Sequence, residues 1–426
     1  MGKTSIEKII ARASGRDVKP GDRVWCNIDI SSARDFAGPN CCLQFDQVTE
    51  GKGKVWDPDK VAFTFDLQAP AHAEKVANNQ KIIREFAKRQ GIKKVFDINW
   101  GIGQHVMLEN GVVKPGHVVL GTDSHMNLLG GAGIFATGVG NTDIVASWIL
   151  GKLWFRVPET LKITVKGQFQ KGVCMRDFLT HLVGELRADG LLYKAAEFYG
   201  PVIENSSLAE RITLCSMVTE MSGKIALIQP NGEVLDWLVE RGGEEVRASV
   251  ESMKADPDAG YCEELEFDVT ELEPLVSAPH APDNVKTVRE VAGTKLDQVH
   301  IGSCSNGRFE DIAAAFEILK AAEFKIAPHV RCIITPTTRE VMTQCAKAGF
   351  IEKFLEAGIV FTNPTCSLCT AEHYGVVPSD DVAMSTTNRN FLGKVGKGSS
   401  TFLASPMTAM ASAVRGEITD PRDILR

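Results

Sequence analysis

The feature that most restricts how this chain can fold is a set of three cysteines. Cys366 and Cys369 stand at C-x-x-C spacing in Asn363-Pro-Thr-Cys-Ser-Leu-Cys369, and Cys304 sits far upstream in Gly302-Ser-Cys-Ser-Asn306. If all three thiolates share one inorganic centre, two distant loops have to meet, and the centre then has three soft ligands without an obvious fourth. An incomplete cage suits catalysis, because the open position on the metal is where a substrate binds. Taken alone, the spacing is equally compatible with zinc (His373 being the nearest fourth ligand), with a redox dithiol and with an iron–sulfur centre.

The rest of the chain is that of an ordinary globular protein. Its 426 residues are too many for one core. A hydrophobic content of 44% beside 24% charged residues allows a large buried interior. The net charge of −7 gives no overall basic bias of the kind that nucleic-acid binding uses. The first ten residues alternate charged and apolar side chains like a short helix and lack the apolar core of a signal peptide, and no segment has the length of a membrane span. A cytoplasmic location is expected. Eleven cysteines, an odd number without framework spacing, are expected to be buried small hydrophobes except for the three above.

Short apolar runs alternating with polar helical stretches predict an α/β fold. Ala71 to Gln90 has helical periodicity that stops before Gly91, and Lys94-Val-Phe follows as a strand. Val118-Val-Leu-Gly is a buried strand leading into the polar Thr122-Asp-Ser-His125, and the carboxyl ends of such strands are where α/β proteins place their chemistry. The glycines between Leu128 and Gly140 lack the third member of a dinucleotide fingerprint and point to close packing. The expected organisation is a first domain over 1–157, a second over 158–261, a proline-rich acidic linker over 262–284 and a third domain over 285–426 that holds the three cysteines.

Beyond the cysteines, six pieces of sequence resemble one known family in its order: Gly121-Thr-Asp-Ser-His125, Phe135-Ala-Thr-Gly-Val-Gly140, Phe155-Arg-Val-Pro-Glu-Thr160, Gly302-Ser-Cys-Ser-Asn306, Thr387-Asn-Arg-Asn-Phe391 and Leu403-Ala-Ser-Pro-Met through Arg422. The family is that of the large subunits of 3-isopropylmalate dehydratase, within the aconitase superfamily. The resemblance implies three α/β/α domains around a [4Fe-4S] cluster held by Cys304, Cys366 and Cys369, with Ser216, Asn306 and Asn388 beside it. One iron without a protein ligand would act as the Lewis acid in dehydration of a small 2-hydroxy di- or tricarboxylic acid. The resemblance also gives Asp66, Asp123, His125 and Glu220 acid–base roles. It gives Arg389 the substrate carboxylate, which a planar guanidinium can grip with two bonds. Arg34, Gln104, His105, Ser124 and Lys394 fall at further substrate-binding positions.

Several positions depart from that pattern. Leu67 stands where relatives have a histidine after the aspartate, and Gln104-His105 inverts their His-Gln. On a strand or turn, a histidine moved by one place points elsewhere. Ala33-Arg34-Asp35 replaces a histidine–acid pair, Ser216 replaces an asparagine, and Lys394 replaces a second arginine. These changes gather at the substrate while the cluster ligands remain. They favour activity on an altered substrate, such as a methylated or otherwise apolar-substituted dicarboxylic acid. Single-chain relatives carry the proton-removing serine in a fourth domain, so the resemblance implies a separate small subunit to supply it here. Gly398-Ser399-Ser400 is expected to be a solvated turn rather than that serine loop. The competing expectations are a hydratase for a maleate-type acid, an RNA-binding relative and a zinc-stabilised structural protein.

Overall fold

The computed structural model describes residues 2–371 and 373–425. The chain divides into two compact units, Met1–Lys166 with Leu191–Phe267, and Gly167–Gly190 with Asp268–Arg426.

The first unit is built on a five-stranded, wholly parallel sheet, ordered Lys94–Phe96, Val61–Thr64, Ile30–Arg34, Val118–Gly121, Phe135–Gly138. The chain starts at Ile30–Arg34, builds outward to one side, then returns to build on the other. That reversal leaves a crevice at the carboxyl ends of Ile30–Arg34 and Val118–Gly121. The predicted amphipathic helix runs Glu74–Gln90 and stops where Gly91 turns left-handed. Its Phe86 joins Phe45, Phe63 and Trp148 in an aromatic core, with the Trp148 ring 5.4 Å from Phe63 and 5.5 Å from Phe86. The glycine run after His125 packs tightly. A Cβ on Gly130 would lie 1.8 Å from the Ala226 carbonyl oxygen, so only glycine lets the two backbones approach.

The segment expected as a second domain gives Thr160–Lys166, Ala195–Tyr199 and Ile225–Leu227 to a four-stranded sheet in the first unit, while its helix Met175–Leu186 belongs to the second. The stretch expected as a linker carries the strands Glu263–Asp268 and Leu275–Ser277. Pro257, Pro274 and Pro279 lie outside these runs and leave their backbone donors free to pair.

The second unit has a seven-stranded sheet ordered Val285–Thr287, Leu275–Ser277, Ser400–Ala404, Val382–Ser385, Gln298–Ile301, Arg331–Ile334, Val360–Phe361. The last five are mutually parallel and the first two antiparallel. Again the chain grows outward from a middle strand, Gln298–Ile301, and then reverses. Of Gly398-Ser399-Ser400, only Gly398 is an exposed turn residue. Ser399 is buried with its hydroxyl donating to the Gly396 carbonyl at 2.9 Å, and Ser400 opens the strand Ser400–Ala404, because the hydroxyl satisfies itself locally and the strand needs the next residue.

Among the described residues no helix is long and apolar enough to cross a membrane. Trp148 is the largest fully buried side chain. Trp148→Ala is expected to cost roughly 3–5 kcal/mol, read as an earlier urea transition of the first unit; a loss below about 1 kcal/mol would show that the aromatic cluster does not hold that core together.

Candidate active site

In the first unit the acid–base candidates collect at the sheet's crevice. Arg34 ends its strand, and its backbone amide donates to Thr122 Oγ1 at 3.0 Å. Its guanidinium lies between two carboxylates, donating to Asp66 Oδ1 at 2.7 and 2.8 Å and also to Asp123 Oδ2. The fork therefore faces the protein's own acids rather than an incoming carboxylate. Asp66 also accepts from the Gly103 amide at 2.7 Å. Burial pushes the Asp66 carboxyl above its ordinary range, opposed by Arg34 and reinforced by the like charges of Asp35 and Asp123. For Asp123 burial acts the same way, but Arg34 and His125 outweigh it and hold the carboxyl well below that range.

His125 follows directly. Its Nε2 is 2.8 Å from Glu220 Oε1, and its Nδ1 is 3.7 Å from Asp123 Oδ1 and 3.3 Å from the exposed Ser124 hydroxyl. Burial opposes a charge on the imidazole, yet the Asp123 and Glu220 carboxylates overcome it and raise the pKa above its usual value. Glu220 comes from the short helical turn Met217–Met221, and its side chain is turned inward onto His125 rather than left exposed.

The departures from the family pattern also have places. Leu67 is buried behind Asp35, whose carboxylate accepts from the backbone amides of Leu67 and Gln68 at 2.9 Å each. Gln104 and His105 lie on the helix Gly103–Glu109, not on a strand or turn, so neighbouring side chains point about 100° apart. Gln104 lines a cavity of about 10 Å³, room for about one water, together with Arg34, Asp66 and Asp123. Its Nε2 is buried without a hydrogen-bond partner. His105 is fully buried and does not line that cavity. Ser216 is buried with its hydroxyl donating to the Thr213 carbonyl at 2.7 Å, inside its own helix.

In the second unit all three cysteines lie on loops leaving the carboxyl ends of parallel strands. Cys304 follows Gln298–Ile301. Gly302 makes the turn at φ 132°, where a Cβ would sit 2.1 Å from the Thr335 carbonyl oxygen. Ser303 Oγ accepts from the Ser305 and Asn306 amides at 3.2 and 3.0 Å and fixes the loop. Cys366 and Cys369 follow the edge strand Val360–Phe361, and Ser367 between them reaches back to the middle strand, its hydroxyl 2.5 Å from His300 Nε2. Burial pushes His300 down to about 3, so the imidazole is neutral and serves that contact. Cys304 and Cys366 are buried and Cys369 half-buried. Asn388, on the loop after Val382–Ser385, directs its Nδ2 at Cys304 Sγ at 3.6 Å. Arg389 beside it is half-buried, and Lys394 Nζ lies 5.4 Å from the centre of the Phe391 ring.

The donor set fits an iron–sulfur centre: soft sulfurs, an amide N–H directed at one of them, and a largely dry lining. Among the described residues no three His, Cys, Asp or Glu side chains are arranged to hold a single metal ion. A cluster would make a different demand, because each of Cys304, Cys366 and Cys369 would hold its own iron.

One residue of this site carries no signal in the sequence. Arg176, in the first turn of the helix Met175–Leu186, is fully buried and donates to Ser305, Asn306, Asn388 and two backbone carbonyls around Cys304. In Cys174-Met-Arg-Asp177 it resembles any solvated arginine near a helix start.

Comparison with known proteins agrees with this geometry. The family model for aconitase (aconitate hydratase) matches residues 7–293 and 287–416. The chain belongs to the aconitase family. It is 43% identical to 3-isopropylmalate dehydratase large subunit 1 of Methanopyrus kandleri, over 100% of both chains. It is 38% identical to a probable methanogen homoaconitase large subunit of Methanothermobacter thermautotrophicus, over 98% of this chain and 97% of the relative. Among solved structures, the holo form of aconitase X from Thermococcus kodakaraensis matches with a TM-score of 0.51 at 13% identity, covering 86% of this chain and 84% of that one, which is a likeness of fold. Family membership implies an iron–sulfur cluster and hydro-lyase chemistry.

The pair of carboxylates on His125 can be tested by titration. An imidazole whose folded pKa is raised stabilises the protein fully below its unfolded value of about 6.5, and loses that contribution as pH rises through the higher folded value. In a histidine NMR titration His125 is expected to deprotonate above its usual range, and Glu220→Gln to lower the midpoint. The stability gap between wild type and E220Q should then close as pH rises past the wild-type midpoint. An unchanged midpoint in E220Q would remove Glu220 from the proton-handling pair.

Proposed function

We propose that the chain is the large subunit of a cytoplasmic hydro-lyase of the isopropylmalate dehydratase and homoaconitase type. It would act on a small 2-hydroxy di- or tricarboxylic acid with Cys304, Cys366 and Cys369 holding a [4Fe-4S] cluster. The observation that carries this reading is the placement of the three cysteines on loops at the carboxyl edge of one parallel sheet, with Asn388 donating to Cys304 and Arg389 beside it.

When bound, the cluster supplies a Lewis acid for a departing hydroxyl. The chain's own residues do the rest. Protonated His125, held by Asp123 and Glu220, is the general acid for that hydroxyl. Arg389 takes a substrate carboxylate as a bidentate partner, and Lys394 offers a second positive charge without a fork. Asn306 and Asn388 orient the cysteine loop. Arg34 acts indirectly: it neutralises Asp66 and Asp123 and thereby keeps Asp123 available to His125.

The group that removes the carbon-bound proton is assigned to a separate small subunit, in line with the words "large subunit" in the relatives' names. Leu67 in place of an imidazole favours a substrate with an apolar substituent. The test is anaerobic purification with iron and sulfide analysis, followed by assays on isopropylmalate, on the homologous tricarboxylic acid and on methyl-substituted 2-hydroxy diacids, with and without the small subunit. Iron and sulfide in near-equal amounts, turnover only after the small subunit is added, and loss of both cluster and turnover in Cys366→Ser are expected. Zinc as the bound metal would overturn the assignment, and turnover by the isolated chain would overturn the division of labour between subunits.

A further inference from the structure

Arg176 stands out because a guanidinium so deeply buried ordinarily faces a carboxylate, and this one does not. Its Nη1 donates to Ser305 Oγ at 3.2 Å, to Asn306 Oδ1 at 3.0 Å, and to the Thr386 carbonyl and Asn388 Oδ1 at 3.4 Å each. Its Nη2 donates to the Thr387 carbonyl at 2.7 Å, and its Nε has no partner. Every acceptor is neutral. The nearest carboxylates are engaged elsewhere: Asp177 accepts from the amides of Cys174 and Leu275 at 3.0 Å, and Asp311 accepts from Asn306 Nδ2 at 2.8 Å and from the Arg308 amide at 3.0 Å. The guanidinium thus has no carboxylate in hydrogen-bond contact, and Asp177 and Asp311 act on it only through space.

The same contacts decide which way Asn388 faces. Its Oδ1 accepts from Arg176 and, at 2.6 Å, from the Ser305 hydroxyl. An amide whose oxygen is fixed by two donors must present its NH₂ on the other side, and that NH₂ is the group 3.6 Å from Cys304 Sγ. Arg176, Asn388 and Cys304 form a short relay from a buried cation to a ligating sulfur.

We infer that Arg176 is a positioning residue for the cofactor, one that locks Asn388 as an N–H donor to Cys304 and supplies the positive charge that balances the thiolate-bound cluster. The inference rests on the iron–sulfur reading above. Hydrogen bonds to cluster sulfurs and nearby charge set how readily a cluster accepts an electron. A cation beside it favours the reduced, more negative form.

The experiment compares wild type, Arg176→Met and Arg176→Lys, each reconstituted anaerobically with iron and sulfide and poised at one fixed potential. The reduced-to-oxidised ratio is read by electron paramagnetic resonance, with the thermal midpoint of the cluster-free chain as the measure of structure. In R176M the ratio should fall by about tenfold or more, since one charge at short range in a partly dry site is worth at least that much. R176K, which keeps the charge but loses the fork, should fall in between. If both loaded variants keep the wild-type ratio, Arg176 is only a structural staple and the inference is overturned, whatever happens to the thermal midpoint. Where R176M does not take up the cluster, R176K alone decides: a lowered ratio supports the inference and an unchanged one ends it. A wild-type chain that takes up no iron and sulfide would instead overturn the assignment beneath it, and this inference with it.

Discussion

Charge removed from water has to be answered by charge or by well-placed dipoles, and both halves of this molecule's chemistry are organised around that demand. In the first unit the answer is internal. Arg34 serves Asp66 and Asp123, Asp123 serves His125, and Glu220 completes the set. Three carboxylates, a guanidinium and an imidazole hold one another in place, and the imidazole holds its proton more tightly as a result. In the second unit the answer comes from dipoles, because the hydrogen-bond acceptors around buried Arg176 are all neutral and Asp177 and Asp311 act on it only through space. A site balanced by its own groups can be rigid before any ligand arrives.

Both sites occupy the same topological position within their own units. A parallel sheet whose chain builds to one side of its first strand and then to the other leaves the two central loops pointing away from each other, and the gap between them is a ready crevice. In the first unit those loops carry Asp35 and Thr122–His125, and in the second they carry Gly302–Arg308 and Thr386–Asn390. The C-x-x-C loop leaves an edge strand instead, so it needs its own tether. The contact between Ser367 and His300 supplies it and returns the loop to the middle of the sheet. His300 has to be neutral to do this in a dry interior, and burial makes it so.

Much of this was legible in the sequence, and what was not legible shares one cause. The cysteines announce themselves by residue type and spacing, the helix Glu74–Gln90 by its period and terminal glycine, and the Asp123–His125 loop by the apolar strand before it. Each is a local pattern. The partners of Arg34 lie 32 and 89 residues away, and those of Arg176 lie 129 or more. No window of sequence contains both ends of such a contact, so Arg34 suggests a substrate cation and Arg176 suggests nothing. The Gln104-His105 inversion misleads for a related reason: its meaning depends on whether the backbone there is strand or helix, and the structure makes it a helix. Ser399, in a Gly-Ser-Ser run, looks solvated until its own hydroxyl is found closing a turn over a buried strand.

What Arg34 can do is limited by the group that holds it. Within the Arg34–Asp66–Asp123–Glu220 group the imidazole in contact is that of His125, and neither Leu67 nor Gln104 titrates. Arg34 cannot double as the carboxylate clamp while two aspartates hold its fork, since exchanging either for a substrate would strand a buried acid without its partner.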